Sequence, residues 1–227
     1  AAPTTPEIGS NRITTSRQRL VNTRHFQLGY TVDEVGPSGI GSVELFITQD
    51  NGRKWFRYGE DADHTSPFDV KLNQDGEYGF TIRVRSGAGL SNDPPTPGEL
   101  PSMNVCVDLT PPALELLSVE QGRGQELNQI LIRWRSQDAH PSDKAISLYY
   151  SANPNGPWEP ISTWRQDTGS FAWGVGPGVP GQVFVRVMAR DAAGNISKVD
   201  STQPLLVDLT RPTARIVDVE TSPVGPR

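Results

Sequence analysis

A six-residue stretch of the sequence returns about 100 residues further along the chain. Residues 107–112 read VDLTPP, and residues 207–212 read VDLTRP. The likeness continues in the same register, since ALELLSVE follows the first copy at 113–120 and TARIVDVE follows the second at 213–220. A proline-containing turn sequence that returns at a fixed interval is typical of tandem modules. The chain is therefore predicted to be a series of repeated domains.

The repeat divides the chain into four parts. At 227 residues the chain is long enough for one or two domains, and the repeat favours two. We predict a polar, proline-containing linker over residues 1–12 and a first module over residues 13–110. A second module is predicted over residues 111–210, and residues 211–227 are expected to hold a linker and the start of a truncated third module.

Turn residues and apolar spacing predict that both modules are all-β. The 22 glycines and 20 prolines separate short segments rich in β-branched residues, and no long segment has the helical period. Phe26, Leu28, Tyr30 and Val32 alternate with polar residues, which is the period of a half-buried strand. Such patterns predict strands at 13–15, 25–32, 43–48, 56–58, 80–84 and 104–109 in the first module, and at 130–135, 146–151, 171–175, 183–189 and 205–209 in the second.

Charge and composition exclude some classes of partner. The net charge is −5, and an acidic surface repels phosphate backbones, so we expect no nucleic-acid partner. No run of 18 apolar residues occurs, so we expect no membrane insertion of this segment. The opening AAPTTP lacks the basic and apolar regions of a signal peptide, which indicates a processed chain or a piece of a longer one. Cys106 is the single cysteine, so no intramolecular disulfide is expected.

The tryptophans and the closing strand of the second module carry a family resemblance. Trp134 lies in the sequence LIRW, an apolar and aromatic stretch follows at 146–150, and Trp158 comes soon after it. The module then closes with a Pro-Gly turn, the sequence VRVMA at 185–189 and a glycine-containing turn. In this order of features the second module resembles the fibronectin type III family, with Val183 where the family customarily has tyrosine. The resemblance implies a seven-stranded β-sandwich.

The first module resembles the same family more loosely. Tyr30 stands for the tryptophan, Phe80 stands for the tyrosine, and the pair at 83–84 stands for the customary Arg-Val. The joints VDLTPP and VDLTRP, together with ARDAAGN at 189–195, also resemble the junctions of bacterial immunoglobulin-like arrays in large exported proteins. These resemblances imply two tandem immunoglobulin-like (fibronectin type III-like) β-sandwiches joined by a short proline-containing linker. They also imply an extracellular, cell-surface or periplasmic location.

One local motif in the first module resembles an Asp-box, a β-hairpin best known from sialidase propellers. It is the spacing Thr48-x-Asp50-x-Gly52-x-x-Trp55, in which the aspartate would accept turn N–H groups while the tryptophan packs beneath. The corresponding stretch of the second module, residues 151–158, carries one extra residue and lacks the aspartate. A propeller needs such a unit every 40 to 50 residues or so, so we interpret both stretches as structural hairpins.

No residue pattern predicts a catalytic site. His25, His64 and His140 are far apart in sequence and lack the spacing of a metal motif. The acidic residues lie mainly in turns, with no pair marked as a general acid and base. Cys106 alternates with valines in a predicted strand, so a buried or edge thiol is favoured over a nucleophile. We therefore expect that the segment is not an enzyme.

Three tryptophans of the second module are candidate ligand-binding residues. Trp164 and Trp173 fall outside the positions needed for the core, and Trp158 is at the margin of those positions. Tryptophans on a sandwich face stack on sugar rings through their flat apolar surfaces. The alternative is that Trp173 packs inward from its strand and that Trp164 covers a sheet edge.

Two aspartates at the joints are candidate calcium ligands. Asp108 and Asp208 would bind the ion together with a turn acid such as Asp138 or Asp191, because calcium prefers several oxygen ligands. The alternative is that Asp108 ends a strand and caps the turn that follows it. Apart from calcium, no cofactor is expected.

The sequence favours a non-catalytic structural or interaction segment of a larger exported or cell-surface bacterial protein. Such modules would space or present other domains of the same chain, which are then the expected partners. The alternative function is a carbohydrate- or protein-binding module that uses the exposed aromatics of the second domain, with a polysaccharide or a surface protein as partner.

Overall fold

The computed structural model describes residues 18–210 and 213–218. Within these residues every regular element is a β-strand, except for one 3-10 helix at Gly124–Glu126. The all-β prediction is thus confirmed, and the described residues include no helix long and apolar enough to cross a membrane. The chain divides into two compact units, the first holding the residues up to Pro111 with Asp191–Ile196, and the second holding Pro112–Arg190 and the residues from Ser197 onward.

Several predictions for the chain ends fall on residues that the structure does not describe. They concern the linker at 1–12, the strand at 13–15 and most of the third-module start at 211–227. Of that last segment only residues 213–218 are described, and they are exposed and irregular.

Among the described residues of unit 1, seven strands form two sheets. They are β1 (Gln18–Val21), β2 (His25–Leu28), β3 (Ile40–Thr48), β4 (Phe56–Glu60), β5 (Phe68–Lys71), β6 (Gly76–Ser86) and β7 (Met103–Val107). Five strands pair in the order β1-β7-β6-β3-β4, while β2 and β5 form a separate two-stranded sheet. The pairs are antiparallel, except that β1 runs parallel to β7.

The core of unit 1 lies between these two sheets. Leu45 on β3 and Phe80 on β6 project from the five-stranded sheet, and Phe68 and Val70 project from β5 of the two-stranded sheet. Phe26 on β2 meets Phe80 edge to face, with 6.1 Å between ring centroids. Burial of each such side chain stabilises the unit by about 1.5–3 kcal/mol relative to an exposed position.

The strand predicted over residues 25–32 is shorter in the structure and ends at Leu28. Its partner β5 matches it residue for residue over four positions, and the residue before β5 is Pro67. Proline has no N–H with which to extend the ladder. The Tyr30 backbone N–H donates instead to the Ser66 hydroxyl at 3.0 Å, so an alternating pattern continues where the strand does not.

In the part of unit 2 that the structure describes, eight strands form two sheets. They are β8 (Ala113–Gln121), β9 (Gln129–Gln137), β10 (Pro141–Ser151), β11 (Glu159–Arg165), β12 (Ser170–Gly174), β13 (Gln182–Asp191), β14 (Ile196–Asp200) and β15 (Leu205–Leu206). One sheet has the order β12-β9-β8, and the other has the order β11-β10-β13-β14, with β15 pairing with β13. The sequence patterns do not predict β1, β5, β8, β11 or β14.

The core of unit 2 is built from alternate residues of facing strands. Ile130, Ile132 and Trp134 project from β9. Leu148 on β10 and Val185 on β13 meet them from the second sheet, and all five side chains are buried. The Trp134 indole N–H donates to the Asp167 carboxylate at 2.8 Å, which satisfies the polar atom of a buried ring.

Candidate functional site

Two of the three candidate tryptophans lie on one outer face of unit 2. Along β13, Val185 and Val187 point into the core, so Arg186 and Arg190 point to the other side of the sheet. The Arg186 guanidinium lies 4.1 Å from the ring centroid of Trp158, just before β11. Arg190 stacks in the same way on Trp164 of β11, with 4.4 Å from its guanidinium carbon to the ring centroid. We call Trp158, Trp164, Arg186 and Arg190 the outer aromatic face.

The two arginines of the outer aromatic face are held by further contacts. Arg186 donates through Nε and Nη2 to both carboxylate oxygens of Asp200 on β14, at 2.7 and 2.8 Å. The hydrogen bond to Asp200 raises the pKa of the Arg186 guanidinium. Arg190 Nε donates to the Lys144 carbonyl at 2.9 Å. Each guanidinium covers one face of its indole, and both rings are half-buried.

Trp173 is not part of this face. It lies on β12 in the opposite sheet, and its half-buried ring packs against the core of unit 2. Its centroid is 4.8 Å from that of Tyr150 on β10. The structure therefore brings Trp158 and Trp164 to one surface and places Trp173 between the sheets.

The arginine partners of the outer aromatic face are missing from the sequence prediction. Their signal was present, because in VFVRVMAR the small apolar residues alternate with Phe184, Arg186, Met188 and Arg190. Alternation of that kind on a long strand predicts that the arginines share the solvent-facing side.

The joint aspartates, Asp108 and Asp208, form the same turn at the two repeated positions. Asp108 accepts the Thr110 backbone N–H at 2.9 Å, and Asp208 accepts that of Thr210 at 2.9 Å. This is an Asx-turn, in which a side chain replaces a backbone acceptor two residues before the donor. Asp108 is buried and Asp208 is exposed. Each carboxylate thus has one oxygen engaged by its own backbone.

The turn acids proposed to join them are also engaged locally. Asp138 accepts the backbone N–H of His140 at 2.7 Å. Asp191 accepts the backbone N–H groups of Gly194 and Asn195 at 2.6 and 2.8 Å, and its other oxygen accepts the Asn195 side-chain amide at 2.7 Å. These bonds close the turn between β13 and β14.

The hairpin of residues 48–55 closes around two side chains. The Thr48 hydroxyl accepts the Gly52 backbone N–H and donates to Asp50, both at 2.9 Å. Asp50 accepts the Lys54 backbone N–H at 2.8 Å, which lowers the pKa of its carboxyl. Asn51 and Gly52 both have positive φ, as the tight Asn-Gly turn requires. The contacts account for this hairpin as a structural element.

Cys106 lies buried in β7. Burial raises the pKa of its thiol, so the reactive thiolate is disfavoured near neutral pH.

Comparison with known proteins bears on the fold. No family model and no curated protein matches the sequence. The chain is similar to the fibronectin(III)-like modules of Clostridium thermocellum CbhA, with 15% identity and a TM-score of 0.51 over 90% of this chain and 97% of that chain. It is also similar to the FN1–FN3 domains of chicken CNTN1, with 12% identity and a TM-score of 0.44 over 82% of this chain and 62% of that chain.

The likeness to the CbhA modules shows the class of fold. Together with the two sheets and single core of each unit, it defines the chain as two tandem β-sandwiches of the fibronectin type III-like kind. The resemblance predicted from Trp134, Trp158 and the VRVMA strand is thereby confirmed for the fold.

Proposed function

We propose that the two modules are a non-catalytic spacing and presenting segment of a larger exported or cell-surface bacterial protein. The observation that carries the proposal is the repeated joint. The same four residues, VDLT, end each module and fold into the same Asx-turn, so each module ends in the same way whatever follows it. A series of modules with identical ends is suited to holding other domains of the chain at a set distance.

An exchange experiment in the full-length protein tests this role. Residues 111–210 are replaced by a second copy of residues 13–110, which nearly keeps the length but removes the outer aromatic face. A spacing role predicts that antibody access to the downstream domain on intact cells is retained in the exchange variant and reduced when residues 111–210 are deleted. Equal loss in both variants would overturn the proposal, because the identity of the module would then matter rather than its length.

The outer aromatic face favours a second candidate, binding of a carbohydrate or a surface protein. Trp158 and Trp164 are half-buried on a solvent-facing side of a sheet, and each keeps one indole face free of its arginine. Acrylamide quenching of tryptophan fluorescence, with Trp158→Phe and Trp164→Phe as comparisons, tests whether these rings are open to solvent. A polysaccharide that protects them from the quencher would support this candidate, and rings that are shielded without any ligand would remove its basis.

A further inference from the structure

An exposed aromatic ring lies at the edge of the five-stranded sheet of unit 1. Phe56, the first residue of β4, is 62% exposed. It pairs with Ile47 on β3, whose side chain packs against the core of the unit. Residues that pair across strands project to the same side of a sheet, so the Phe56 ring lies on the core-facing side but beyond the cover of the two-stranded sheet. A single exposed apolar ring is ordinary on a protein surface, so the significance of Phe56 comes from the cleft that it borders.

The ring borders a cleft of about 350 Å³ between the β3–β4 hairpin and the turn that joins β5 to β6. Tyr58 and Tyr78 line it and tie that turn in place. The Lys71 backbone N–H donates to the Tyr58 hydroxyl at 2.6 Å, and that hydroxyl donates to the Lys71 carbonyl at 3.1 Å. The Tyr78 hydroxyl donates to the Gln74 carbonyl at 2.8 Å. The wall of the cleft is therefore held by hydrogen bonds before any ligand arrives.

Three side-chain amides surround the cleft and are free to bind a ligand. Gln49, Asn73 and Gln74 line it, and all three residues are exposed. Within residues 18–210 and 213–218 none of these amides makes a hydrogen bond. Each amide offers two donors and one acceptor with two lone pairs. Among residues 18–210 and 213–218, the lining holds one cation, Lys71, and no carboxylate.

From this combination we propose that the cleft binds one pyranose residue of a saccharide. The apolar face of the sugar ring would lie on Phe56, and vicinal hydroxyls would exchange hydrogen bonds with the amides of Gln49, Asn73 and Gln74. Amides suit hydroxyls because they donate and accept at once, whereas a phosphate would require more positive charge than one lysine. A purely apolar ligand would leave the amides unpaired. The site is independent of the spacing role and lies in the other module from the outer aromatic face.

Affinity electrophoresis of the full chain tests the proposal. Native gels are cast with soluble β-glucan, xylan, galactomannan or polygalacturonate. We expect at least one polymer to retard the protein, and we expect Phe56→Ala to weaken that retardation by about tenfold, since one aromatic ring accounts for a large part of such a contact. Gln74→Ala should weaken it several-fold. Lys71→Ala should affect only polygalacturonate, which separates a uronate ligand from a neutral one.

Matched variants keep the result interpretable. Phe56 is exposed, so Phe56→Ala should leave the circular dichroism and unfolding midpoint of the chain nearly unchanged. Leu100→Ala, which truncates another exposed apolar residue of the same unit, should leave retardation unchanged. Absence of retardation by every polymer would overturn the proposal. Retardation that survives Phe56→Ala but is lost in Trp164→Ala would also overturn it, and would place binding on the outer aromatic face instead.

Discussion

Replacing Gly52 by alanine should destabilise unit 1 far more than the same change at Gly89. The two glycines have almost the same backbone, with φ of 88° and 87°. They differ in their surroundings, because a Cβ on Gly52 would lie 1.9 Å from the Glu99 carbonyl oxygen, whereas a Cβ on Gly89 would meet nothing within 4 Å. Gly89→Ala therefore measures the cost of a positive φ alone, and Gly52→Ala adds the steric overlap.

The expected magnitudes follow from these contacts. A side chain in the left-handed region costs about 1–2 kcal/mol, which is the full effect expected at Gly89. At Gly52 the loop carrying Glu99 has to move away. That movement threatens the hydrogen bond from the Gly98 N–H to the Gly52 carbonyl at 2.8 Å and the one from the Trp55 indole N–H to the Glu99 carbonyl at 3.3 Å. With about 0.5–1.5 kcal/mol for each bond, Gly52→Ala should cost about 2–5 kcal/mol in total.

Hydrogen exchange of the slowest amides in β3 and β6 measures this free energy within the intact chain, without interference from unit 2. Gly89→Ala should speed their exchange by about 5–30-fold, and Gly52→Ala should speed it by a further tenfold or so. Equal exchange rates in the two variants would refute the reasoning, because the close approach of Gly52 to Glu99 would then carry no energetic weight.

Three further predictions concern the charged and aromatic groups. Arg186→Ala should lower the free energy of unfolding of unit 2 by about 1–2 kcal/mol in urea titrations, because it removes the stack on Trp158 and a two-point ion pair with Asp200. The side chains of that pair are only 19% and 35% exposed. As a control, Arg135→Ala should change the free energy of unfolding by less than about 0.5 kcal/mol, because Arg135 and its partner Glu115 are 71% and 60% exposed. Burial and a hydrogen bond to Asp61 raise the pKa of Tyr30 to about 12. The neutral Tyr30 hydroxyl therefore contributes folding stability that is complete below about pH 10 and is lost as pH rises towards 12. In a titration followed by absorbance at 295 nm, Tyr30→Phe should remove the tyrosine that ionises at the highest pH, and an unchanged curve would contradict the assignment. If the joint aspartates hold calcium through the ligand capacity that their Asx-turns leave, EGTA should lower the midpoint of thermal unfolding, and an unchanged midpoint would contradict the calcium hypothesis.

Alternation in the sequence predicted the strands whose two faces differ most. β9 and β13 were found because every second residue is buried, as with Ile130 and Ile132. Strands such as β5 and β11 are short or interrupted by polar residues and proline, so their alternation of apolar and polar residues is too weak to predict a strand. The end of β2 at Leu28 could not be predicted either, because it depends on the length of its partner β5, which the alternation of apolar residues in β2 does not specify.

For the candidate sites, too, the sequence predicted local features but not the contacts that depend on strand pairing. The spacing placed Trp164 outside the core and left Trp158 at its margin, but it also placed Trp173 outside, whereas that ring packs against the core. The arginine partners of Trp158 and Trp164 depend on which residues of β10, β11 and β13 come side by side. The register between β10 and β11 shifts twice, and local sequence does not specify such shifts. The cleft beside Phe56 was not predicted, because one of its walls is the turn that follows the unpredicted strand β5.

The parallel pairing of β1 with β7 has a consequence for a segment that is pulled at its ends. The first and last strands that the structure describes in unit 1 lie side by side over Gln18–Val21, with Gln18 opposite Asn104 and Val21 opposite Val107. Tension applied to the chain before β1 and after β7 would draw these strands past each other along their length. Their hydrogen bonds would then bear the force together, in shear, instead of breaking one after another. The pairing of β1 with β7 would therefore be the part of unit 1 that resists mechanical unfolding.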